Sequence, residues 1–376
     1  MKEEMVMEKF LVKPAIYQFQ KAEEFAKTFN LNEDDLVITN KYIYEPYFGN
    51  LGLKCHVLYQ ENYGKGEPSD AMVEAMYKDV TCTPKRIIAI GGGTIMDISK
   101  IFSLRKMYPI LDLFDGKIVP EKEKELILVP TTCGTGSEVT NVAVLSLLTR
   151  GTKKGLASDE MYADAAVLVP ELLNALPFSV FATSSIDALI HAVESSLSPD
   201  ANQTTRMFGY RAIDMILHGY QKVVKEGKES LHSVLPDYLL ASNYAGISFG
   251  NAGCAAVHAL SYPIGSNFHV PHGEANYAIF TGVMRAYMKV RQDGEIKTLN
   301  NYIADILGCD PDHVYDELEK LLNQILPKKP LHAYGMKQEQ IEEFTDSVIA
   351  NQQRLLKHSF VPLDRDQIIA IYTELY

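Results

Sequence analysis

Residues 8–170 alternate between short apolar runs and segments of helical period, and this alternation limits the fold more than any other feature of the chain. The apolar runs at 35–40, 86–93 and 125–131 end in polar residues or glycine, as buried parallel strands do. Such alternation predicts a parallel sheet with helices on both faces. After an apolar run at 165–170, the pattern is helical to the end of the sequence.

The change of pattern near residue 176 predicts two domains. Residues 1–176 are expected to form an α/β dinucleotide-binding domain, and residues 177–376 an all-helical domain that holds a metal. Strands are expected at 8–19, 35–40, 54–59, 86–90, 125–130 and 165–170. Helices are expected up to residue 29, after residue 93, from residue 177, and at 68–80, 206–226, 236–250, 252–262, 276–290, 296–307, 311–325, 338–357 and 365–375.

Composition and charge exclude several classes of protein. The 376 residues suffice for two domains with sizeable cores, and the net charge of -12 argues against nucleic acid as a partner. Five scattered cysteines without a Cys-x-x-Cys pair are typical of a reduced, intracellular chain. Residues 1–9 lack the apolar core of a signal peptide, and no apolar run is long enough to span a bilayer. We therefore expect a cytoplasmic protein without a membrane partner.

A run of glycines joins a predicted strand to a predicted amphipathic helix at residues 86–100 (Arg-Ile-Ile-Ala-Ile-Gly-Gly-Gly-Thr-Ile-Met-Asp-Ile-Ser-Lys). Glycines at the start of a helix let the backbone approach a pyrophosphate, whose charge the free N–H groups stabilise. The usual dinucleotide fingerprint is incomplete, because Met96 stands where its third glycine is expected. Taken alone, such a run is a tight turn about as often as a phosphate site.

A second loop of this kind follows the strand at 125–130, with the sequence Thr-Thr-Cys-Gly-Thr-Gly-Ser-Glu at 131–138. Hydroxyl groups and glycines at the carboxyl end of a strand occupy the place where open α/β sheets bind ligands. The alternative is an ordinary Ser/Thr/Gly loop. Two such loops after two successive strands favour a binding site.

The helical part contains a set of residues that could bind a metal. Asp187 and His191 are four residues apart in an apolar run, so a helix places both on one face. With His258 and His272 they offer one carboxylate and three imidazoles, which suit a divalent ion that keeps a position for an oxygen ligand. The alternative is that Asp187 and His191 form a surface pair or an internally satisfied pair, which is the commoner fate of this spacing.

Four motifs occur in the order and spacing of one enzyme family. They are residues 91–100 (Gly-Gly-Gly-Thr-x-x-Asp-x-x-Lys), 130–138 (Pro-Thr-Thr-Cys-Gly-Thr-Gly-Ser-Glu), 187–194 (Asp-Ala-Leu-Ile-His-Ala-x-Glu), and His258 followed by Pro-His-Gly at 271–273. Together they resemble the iron-containing (group III) alcohol dehydrogenases, over nearly the whole chain. The resemblance implies an α/β N-terminal domain with a parallel sheet, an all-α metal-binding domain, a fold shared with dehydroquinate synthase, and a homodimer.

The resemblance also implies a cofactor, a metal and the residues that bind them. The metal would be Fe²⁺, or sometimes Zn²⁺, and the cofactor NAD(P). Residues 91–94 would carry the pyrophosphate, Asp97 would lie near the nicotinamide, and Lys154 would match the family's lysine that reaches the cofactor. The implied metal ligands are Asp187, His191, His258 and His272. The implied cofactor residues are Asn40, Gly91, Gly92, Gly93, Thr94, Asp97, Thr131, Thr132, Thr135 and Lys154.

Two departures from the family pattern concern the chemistry. Many members have a second histidine four residues after the position of His258, and some use it as a proton relay; this chain has Tyr262 there. We expect Tyr262 and His272 to serve catalysis. Many members have an aspartate after the second strand that binds the adenosine ribose; this chain has Asn40, which does not repel a 2′-phosphate. The family resemblance still implies NAD as the preferred cofactor, but with weaker discrimination against NADP than an aspartate at this position would give.

Within the family, residues 258–265 and 271–277 most resemble members that act on 4-hydroxybutyrate. The expected reaction is hydride transfer between NAD and a short primary alcohol with a terminal carboxylate, with 4-hydroxybutyrate and succinate semialdehyde as the pair. The metal would act as a Lewis acid on the alcohol or aldehyde. A buried substrate carboxylate needs a cation, and the candidates are Arg285, Arg354 and Lys357.

Three alternatives remain at this level. A general dehydrogenase of short alcohols, diols or lactaldehyde would have the same motifs. A lyase or cyclase of the dehydroquinate synthase kind would need basic residues to hold a phosphate, but 187–194 and 258–273 contain no Lys or Arg. A member that only senses cofactor or metal is disfavoured, because all four expected ligands are present.

Overall fold

The computed structural model of the protein describes residues 9–376, and the signal-peptide prediction depends mainly on residues 1–8, which lie outside them. The described strands fall into a six-stranded sheet and a two-stranded sheet. The strands are β1 (Ala15–Gln18), β2 (Asp35–Thr39), β3 (His56–Tyr59), β4 (Arg86–Gly91), β5 (Glu125–Pro130), β6 (Val142–Leu147), β7 (Thr152–Ala157) and β8 (Ala165–Leu168).

The larger sheet has the strand order β1-β8-β5-β4-β2-β3, and each neighbouring pair is parallel. Alternate residues of β4 enter the cores on opposite faces, Ile87 and Ala89 on one and Ile88 and Ile90 on the other. A strand buried on both faces is apolar throughout, which is why the sequence marked the central strands clearly. β1 lies at the sheet edge with exposed residues and is shorter than the predicted strand at 8–19.

The smaller sheet is an antiparallel hairpin of β6 and β7, which the sequence analysis did not predict. Residues of β6 alternate between half-buried and buried, as on a strand with one face against the core. The connection ends at Gly151, whose φ of 58° lies in the left-handed region that favours glycine. Lys154 lies on β7.

Most of the helices lie close to their predicted positions, with the exceptions given below. They are α1 (Ala22–Thr28), α2 (Lys41–Phe48), α3 (Asp70–Lys78), α4 (Gly93–Phe102), α5 (Ile110–Phe114), α6 (Phe178–Leu197), α7 (Gln203–Glu226), α8 (Leu231–Ala252), α9 (Ala256–Phe268), α10 (His272–Val290), α11 (Glu295–Leu307), α12 (Val314–Ile325), α13 (Gln340–Asn351), α14 (Gln353–Leu356) and α15 (Arg365–Leu375).

Several predicted helices were wrong in their limits. α8 begins at Leu231 and not at 236, and α9 spans Ala256–Phe268 and not 252–262. α10 begins at His272, four residues before the predicted start at 276, because Pro271 is extended (φ -53°, ψ 139°) and fixes the N-terminus there. The helix predicted at 338–357 is interrupted at Gln352, whose φ of -113° and ψ of 24° are not helical. No glycine or proline marks this interruption in the sequence. α2 and α5 were not predicted.

The described chain groups into two compact units. One consists of Lys13–Ser184 and Leu231–Gly246 and contains both sheets. The other consists of Ser185–Ser230, Ile247–Tyr376 and the described part of Met1–Val12, and its regular elements are helices. The predicted fold class, an α/β N-terminal domain and a helical C-terminal domain, is confirmed. The domain limits at 1–176 and 177–376 stay a prediction.

None of the helices formed by residues 9–376 combines the length and the apolar character that a membrane span requires.

Candidate active site

Helix α6 carries buried ionisable residues within an apolar sequence. Asp187, His191 and Glu194 are 3%, 5% and 1% exposed. His191 Nδ1 lies 3.9 Å from Asp187 Oδ2, one helical turn along α6. Because a buried carboxylate is costly unless partners compensate its charge, this segment needs polar groups from other elements.

The other two predicted ligands supply such groups. His258 lies near the start of α9, and His272 is the first residue of α10. The Nε2 atoms of both lie 3.8 Å from Asp187 Oδ1. The rings of His191 and His258 stack with centroids 4.6 Å apart. Three helices of the helical unit thus bring the four predicted metal residues together.

Glu194 fixes the orientation of His258. Its carboxylate accepts a hydrogen bond of 2.6 Å from His258 Nδ1 and others from the backbone N–H groups of Ala255 and Val257. An ionised carboxylate can only accept, so Nδ1 carries a proton, and in the neutral imidazole the lone pair is on Nε2. His258 Nε2 is buried and has no hydrogen-bond partner. A buried imidazole nitrogen in this state fits a metal ligand whose other nitrogen is held by a carboxylate.

Asn276 joins Asp187 to His272. Its Nδ2 donates a 2.7 Å hydrogen bond to Asp187 Oδ1 and lies 3.2 Å from His272 Nε2, while its Oδ1 accepts a hydrogen bond from Ser261. Burial raises the pKa of Asp187, but His191, His272, His258 and Asn276 outweigh it and hold the pKa below its ordinary value. Asp187 is therefore ionised, which is the form that binds a cation.

The donor set suits a divalent transition metal. The ligand atoms of Asp187, His258 and His272 lie within 4.8 Å of one another, as do those of His191, Cys254 and His258. Burial raises the pKa of Cys254 well above its usual value, so its thiol stays neutral and the carboxylate set is the better site. One carboxylate and three imidazoles can hold such an ion while a further position binds an oxygen. A metal held in this way polarises an alcohol or a carbonyl.

The candidate site is closed around Asp187 and open beside His272. The side chain of Asp187 is 4% exposed and that of His272 is 37% exposed. Tyr262 is half-buried, and its ring centroid lies 6.3 Å from that of His272. A small molecule that approached the metal residues past His272 would therefore come near the tyrosine.

Among the three candidate cations for a substrate carboxylate, Arg354 acts through its charge on His258 and Cys254. The pKa of His258 is raised, because Glu194 and Asp187 outweigh the effect of burial, while Arg354 acts in the opposite sense. Arg354 is exposed, and its charge also lowers the pKa of Cys254. Arg285 is ion-paired at 2.8 Å with Asp316 and is also near Glu319, and Lys357 is exposed.

In the α/β unit, the two predicted cofactor loops lie side by side. β4 and β5 are parallel neighbours, with Gly91 opposite Pro130, and Thr131 N–H donates to the carbonyl of Gly91. Both loops therefore leave the carboxyl edge of the sheet, where open α/β folds bind ligands. Gly92 caps α4, and the N–H groups of the first turn of a helix have no acceptor within the helix. This arrangement can bind a phosphate group.

Close packing explains the three glycines, none of which has a positive φ. A Cβ atom on Gly93 would lie 2.8 Å from Thr135 Cγ2, and one on Gly92 would lie 3.3 Å from Thr132 Cγ2. A Cβ on Gly91 would collide with Ile95, at 2.4 Å from its Cδ1. The glycines thus allow the loop at 131–135 to pack directly on the start of α4.

Both carboxylate oxygens of Asp97 accept hydrogen bonds from within the α/β unit. Its Oδ1 accepts from Ser137 Oγ at 2.8 Å, and its Oδ2 accepts from the Val144 N–H at 2.9 Å. Lys100 is completely buried, 3.8 Å from Asp97, and donates to Ser137, Thr140 and the carbonyl of Val142. Burial lowers the pKa of Lys100 to about 8 against the opposing effect of Asp97 and Glu138. This network ties α4 to the second loop and to β6.

The remaining predicted cofactor residues have protein partners. Lys154 Nζ donates to the carbonyl of Phe114 at 2.7 Å. Thr94 Oγ1 donates to the carbonyl of Gly66 at 3.1 Å. Asn40 directly follows β2 and caps α2, and its Nδ2 donates to Glu61 Oε2 at 2.8 Å. Whether these residues bind a cofactor stays a prediction.

Sequence reasoning missed Asn276, Glu61 and the structural role of Glu194. Glu194 was visible as the last residue of the motif at 187–194, but its hydrogen-bond partner is 64 residues away. Asn276 lies one turn after His272, a spacing that places both on one face of α10. Glu61 gave no signal in the sequence.

Comparison with known proteins assigns the chain to a family. A model described as iron-containing alcohol dehydrogenase matches residues 15–170, and a model described as Fe-containing alcohol dehydrogenase family, C-terminal, matches residues 181–376. The chain therefore belongs to the iron-containing alcohol dehydrogenase family, which confirms the resemblance drawn from the motifs.

Individual relatives are consistent with this assignment. The 4-hydroxybutyrate dehydrogenase of Clostridium kluyveri is 51% identical over 364 residues, which cover 96% of this chain and 98% of that protein. Long-chain-alcohol dehydrogenase 1 of Geobacillus thermodenitrificans is 34% identical and covers 76% of this chain and 73% of its own. The crystal structure of sulfoacetaldehyde reductase from Bifidobacterium kashiwanohense in complex with NAD⁺ has a TM-score of 0.83 and 22% identity, covering 98% of this chain and 99% of its own.

Proposed function

We propose that this protein transfers hydride between NAD and the pair 4-hydroxybutyrate and succinate semialdehyde, with a divalent metal, Fe²⁺ first and Zn²⁺ second. The observation that carries the metal-dependent reaction is the arrangement around Asp187, with the unpartnered Nε2 of His258 directed into it. The choice of substrate is supported by the 51% identity to a 4-hydroxybutyrate dehydrogenase.

The proposed metal ligands are Asp187, His191, His258 and His272. When bound, the metal supplies a Lewis acid for the alcohol oxygen, and NAD accepts the hydride. Glu194 keeps the lone pair of His258 on Nε2, and Asn276 holds Asp187 beside His272. The ligand residues are thus held in place before a metal binds.

The proposed cofactor site is the carboxyl edge of the sheet. Gly91, Gly92, Gly93 and Thr94 would receive the pyrophosphate at the start of α4. The residues that would line the rest of the site are Asn40, Asp97, Thr131, Thr132, Thr135 and Lys154. Asp97 would act mainly through the loop that it positions, because both of its oxygens accept hydrogen bonds from the protein.

Oxidation of an alcohol releases a proton as well as a hydride, and we propose that Tyr262 relays it, its hydroxyl taking up this proton while it passes its own on towards solvent. The phenol lies on α9 one turn after His258 and close to the exposed His272. His272 is the proposed ligand nearest to solvent, so a proton that passes through Tyr262 would leave on that exposed side of the site. A pH–rate profile that is the same in Tyr262→Phe and in the wild type would remove this role.

Arg354 is the proposed partner of the substrate carboxylate. Its charge reaches His258 and Cys254, whereas Arg285 is already paired with Asp316. A neutral alcohol of the same length would leave Arg354 without this partner. A hydrogen bond to a charged group contributes about 1.5–3 kcal/mol, or roughly 10- to 100-fold.

The test is a panel of alcohols with the purified, metal-loaded enzyme and NAD. We expect kcat/KM for 4-hydroxybutyrate to exceed that for 1-butanol by about 10- to 100-fold. Arg354→Met should reduce this ratio and leave 1-butanol unaffected, whereas the control Arg285→Met should keep it. Asp187→Ala and His272→Ala should lose both bound metal and turnover.

The alternatives give different outcomes in the same experiment. Equal efficiency on 4-hydroxybutyrate, 1-butanol, 1,4-butanediol and 1,2-propanediol would indicate a general dehydrogenase of the family. A lyase or a sensor would reduce no NAD with any alcohol. Wild-type metal content and rate in Asp187→Ala would remove the proposed site.

A homodimer in the cytoplasm is part of the proposal. The five cysteines are unpaired, which suits a reducing compartment. The dimer is implied by the family, and sedimentation of the purified protein would test it.

A further inference from the structure

The carboxylate of Glu61 lies beside Asn40 at the carboxyl edge of the sheet. Glu61 follows β3, and its Oε2 accepts from Asn40 Nδ2 at 2.8 Å, while its Oε1 accepts from the Lys41 N–H at 2.7 Å. These two bonds fix both oxygens at the start of α2. Glu61 is half-buried, so part of the carboxylate remains accessible.

Glu61 follows β3 and the proposed pyrophosphate loop follows β4, so a single strand, β2, lies between them in the sheet. β2 is the parallel neighbour of both β3 and β4, with Thr39 opposite Tyr59 and Ile90. Asn40 and Glu61 therefore leave the same edge of the sheet as the glycines after β4. The segment after Glu61 also reaches α4, where Thr94 Oγ1 donates to the Gly66 carbonyl.

Asn40 itself is fully engaged by neighbouring side chains. Its Nδ2 donates to Glu61 and, at 3.2 Å, to Gln60, and its Oδ1 accepts from the Tyr42 hydroxyl at 3.3 Å. Asn40 is 7% exposed, while Tyr42 is 69% exposed. Asn40 thus holds Glu61 in position, and the acidic group at this place comes from Glu61.

We infer that Glu61 binds the adenosine ribose hydroxyls of the cofactor and makes the enzyme selective for NAD over NADP. Each oxygen of a carboxylate has two lone pairs, so each can accept from a ribose hydroxyl as well as from its protein donor. The same negative charge repels a 2′-phosphate. The enzyme should then discriminate strongly against NADP, whereas a neutral Asn40 alone predicts weak discrimination. This inference rests on the proposed function.

The test measures equilibrium binding of NAD⁺ and NADP⁺ by calorimetry, without turnover. Glu61→Gln keeps the size and the hydrogen-bonding capacity but removes the charge. We expect the ratio of the Kd for NADP⁺ to the Kd for NAD⁺ to fall at least about tenfold in this variant, because the repulsion is lost. Glu61→Asp keeps the charge and should retain most of the preference.

Glu67→Gln is the matched control. Glu67 lies on the same segment and pairs with Lys153, not with Asn40, so its removal should leave the ratio unchanged. An unchanged ratio in folded Glu61→Gln, or a wild-type protein that binds NADP⁺ as tightly as NAD⁺, overturns the inference about Glu61. A wild-type protein that binds neither dinucleotide instead overturns the proposed function.

Discussion

At the scale of single residues, the proposed metal site depends on Glu194, a side chain that is not itself a proposed ligand. Glu194 is 1% exposed, and its three hydrogen bonds connect α6 to the beginning of α9. A carboxylate at this position sets the tautomer of His258 and makes its Nε2 a better metal ligand. Without a metal, His258 Nε2 is a buried acceptor with neither a proton nor a partner, which is costly.

The first prediction concerns the charge of Glu194. Glu194→Gln keeps the volume but weakens the hold on His258, so metal affinity should fall by about 10- to 100-fold. Competition with a fluorescent chelator measures this affinity on the protein alone. The surface variant Glu226→Gln serves as the control and should bind metal like the wild type. Equal affinity in both variants would mean that His258 needs no such partner.

At the scale of elements, the cofactor edge is formed by the close approach of α4 to the loop at 131–135. The helix brings Gly93 against the methyl group of Thr135, and Lys100 anchors the same helix to Ser137 and Thr140. Both contacts are local to the α/β unit. They position the first turn of α4 relative to the second loop, and with it the N–H groups that a pyrophosphate would use.

The second prediction is a double-mutant cycle at this contact. A Cβ at Gly93 would lie 2.8 Å from Thr135 Cγ2, so Gly93→Ala should displace the loop and weaken NAD⁺ binding. Thr135→Ser removes that methyl group and keeps the hydroxyl, so the double variant should recover most of the affinity. The two effects should therefore be strongly non-additive in calorimetric Kd values. Additive losses would mean that the contact between Gly93 and Thr135 does not position the loop for NAD⁺.

At the scale of the whole molecule, the proposed metal and cofactor sites lie in different compact units. The metal residues belong to the helical unit, and the glycine loops belong to the α/β unit. A ligand that binds only the folded state suppresses local opening around its own site. The metal and NAD⁺ should therefore slow amide hydrogen exchange in different segments of the chain.

The third prediction concerns removal and return of these ligands. Removing the metal with a chelator should speed amide exchange in α6 and at the starts of α9 and α10, and adding Zn²⁺ should reverse it. Adding NAD⁺ should slow exchange at 91–96 and 131–137. Asp187→Ala should abolish the metal effect and keep the NAD⁺ effect. Metal protection that persists in Asp187→Ala would show that the ion binds elsewhere.

The sequence by itself determined the parallel sheet and the helical remainder, and it supplied the residues that are proposed as metal donors. Strand and helix follow from apolar periodicity, which is a local property of the chain. Asp187 and His191 could be paired because a helix fixes their spacing. The motifs also indicated the protein family, and the comparison with known proteins confirmed it.

The tertiary structure decided which distant groups complete each site. The β6–β7 hairpin, the bond from His258 to Glu194 and the bond from Asn40 to Glu61 depend on how the elements pack; the bonded partners lie 64 and 21 residues apart. Glu61 does not differ in the sequence from the many acidic residues of the surface, and the motif that contains Glu194 does not reveal its partner. The role of each carboxylate is set by the donors that surround it after folding, because the cost of burying charge forces each one to find a partner.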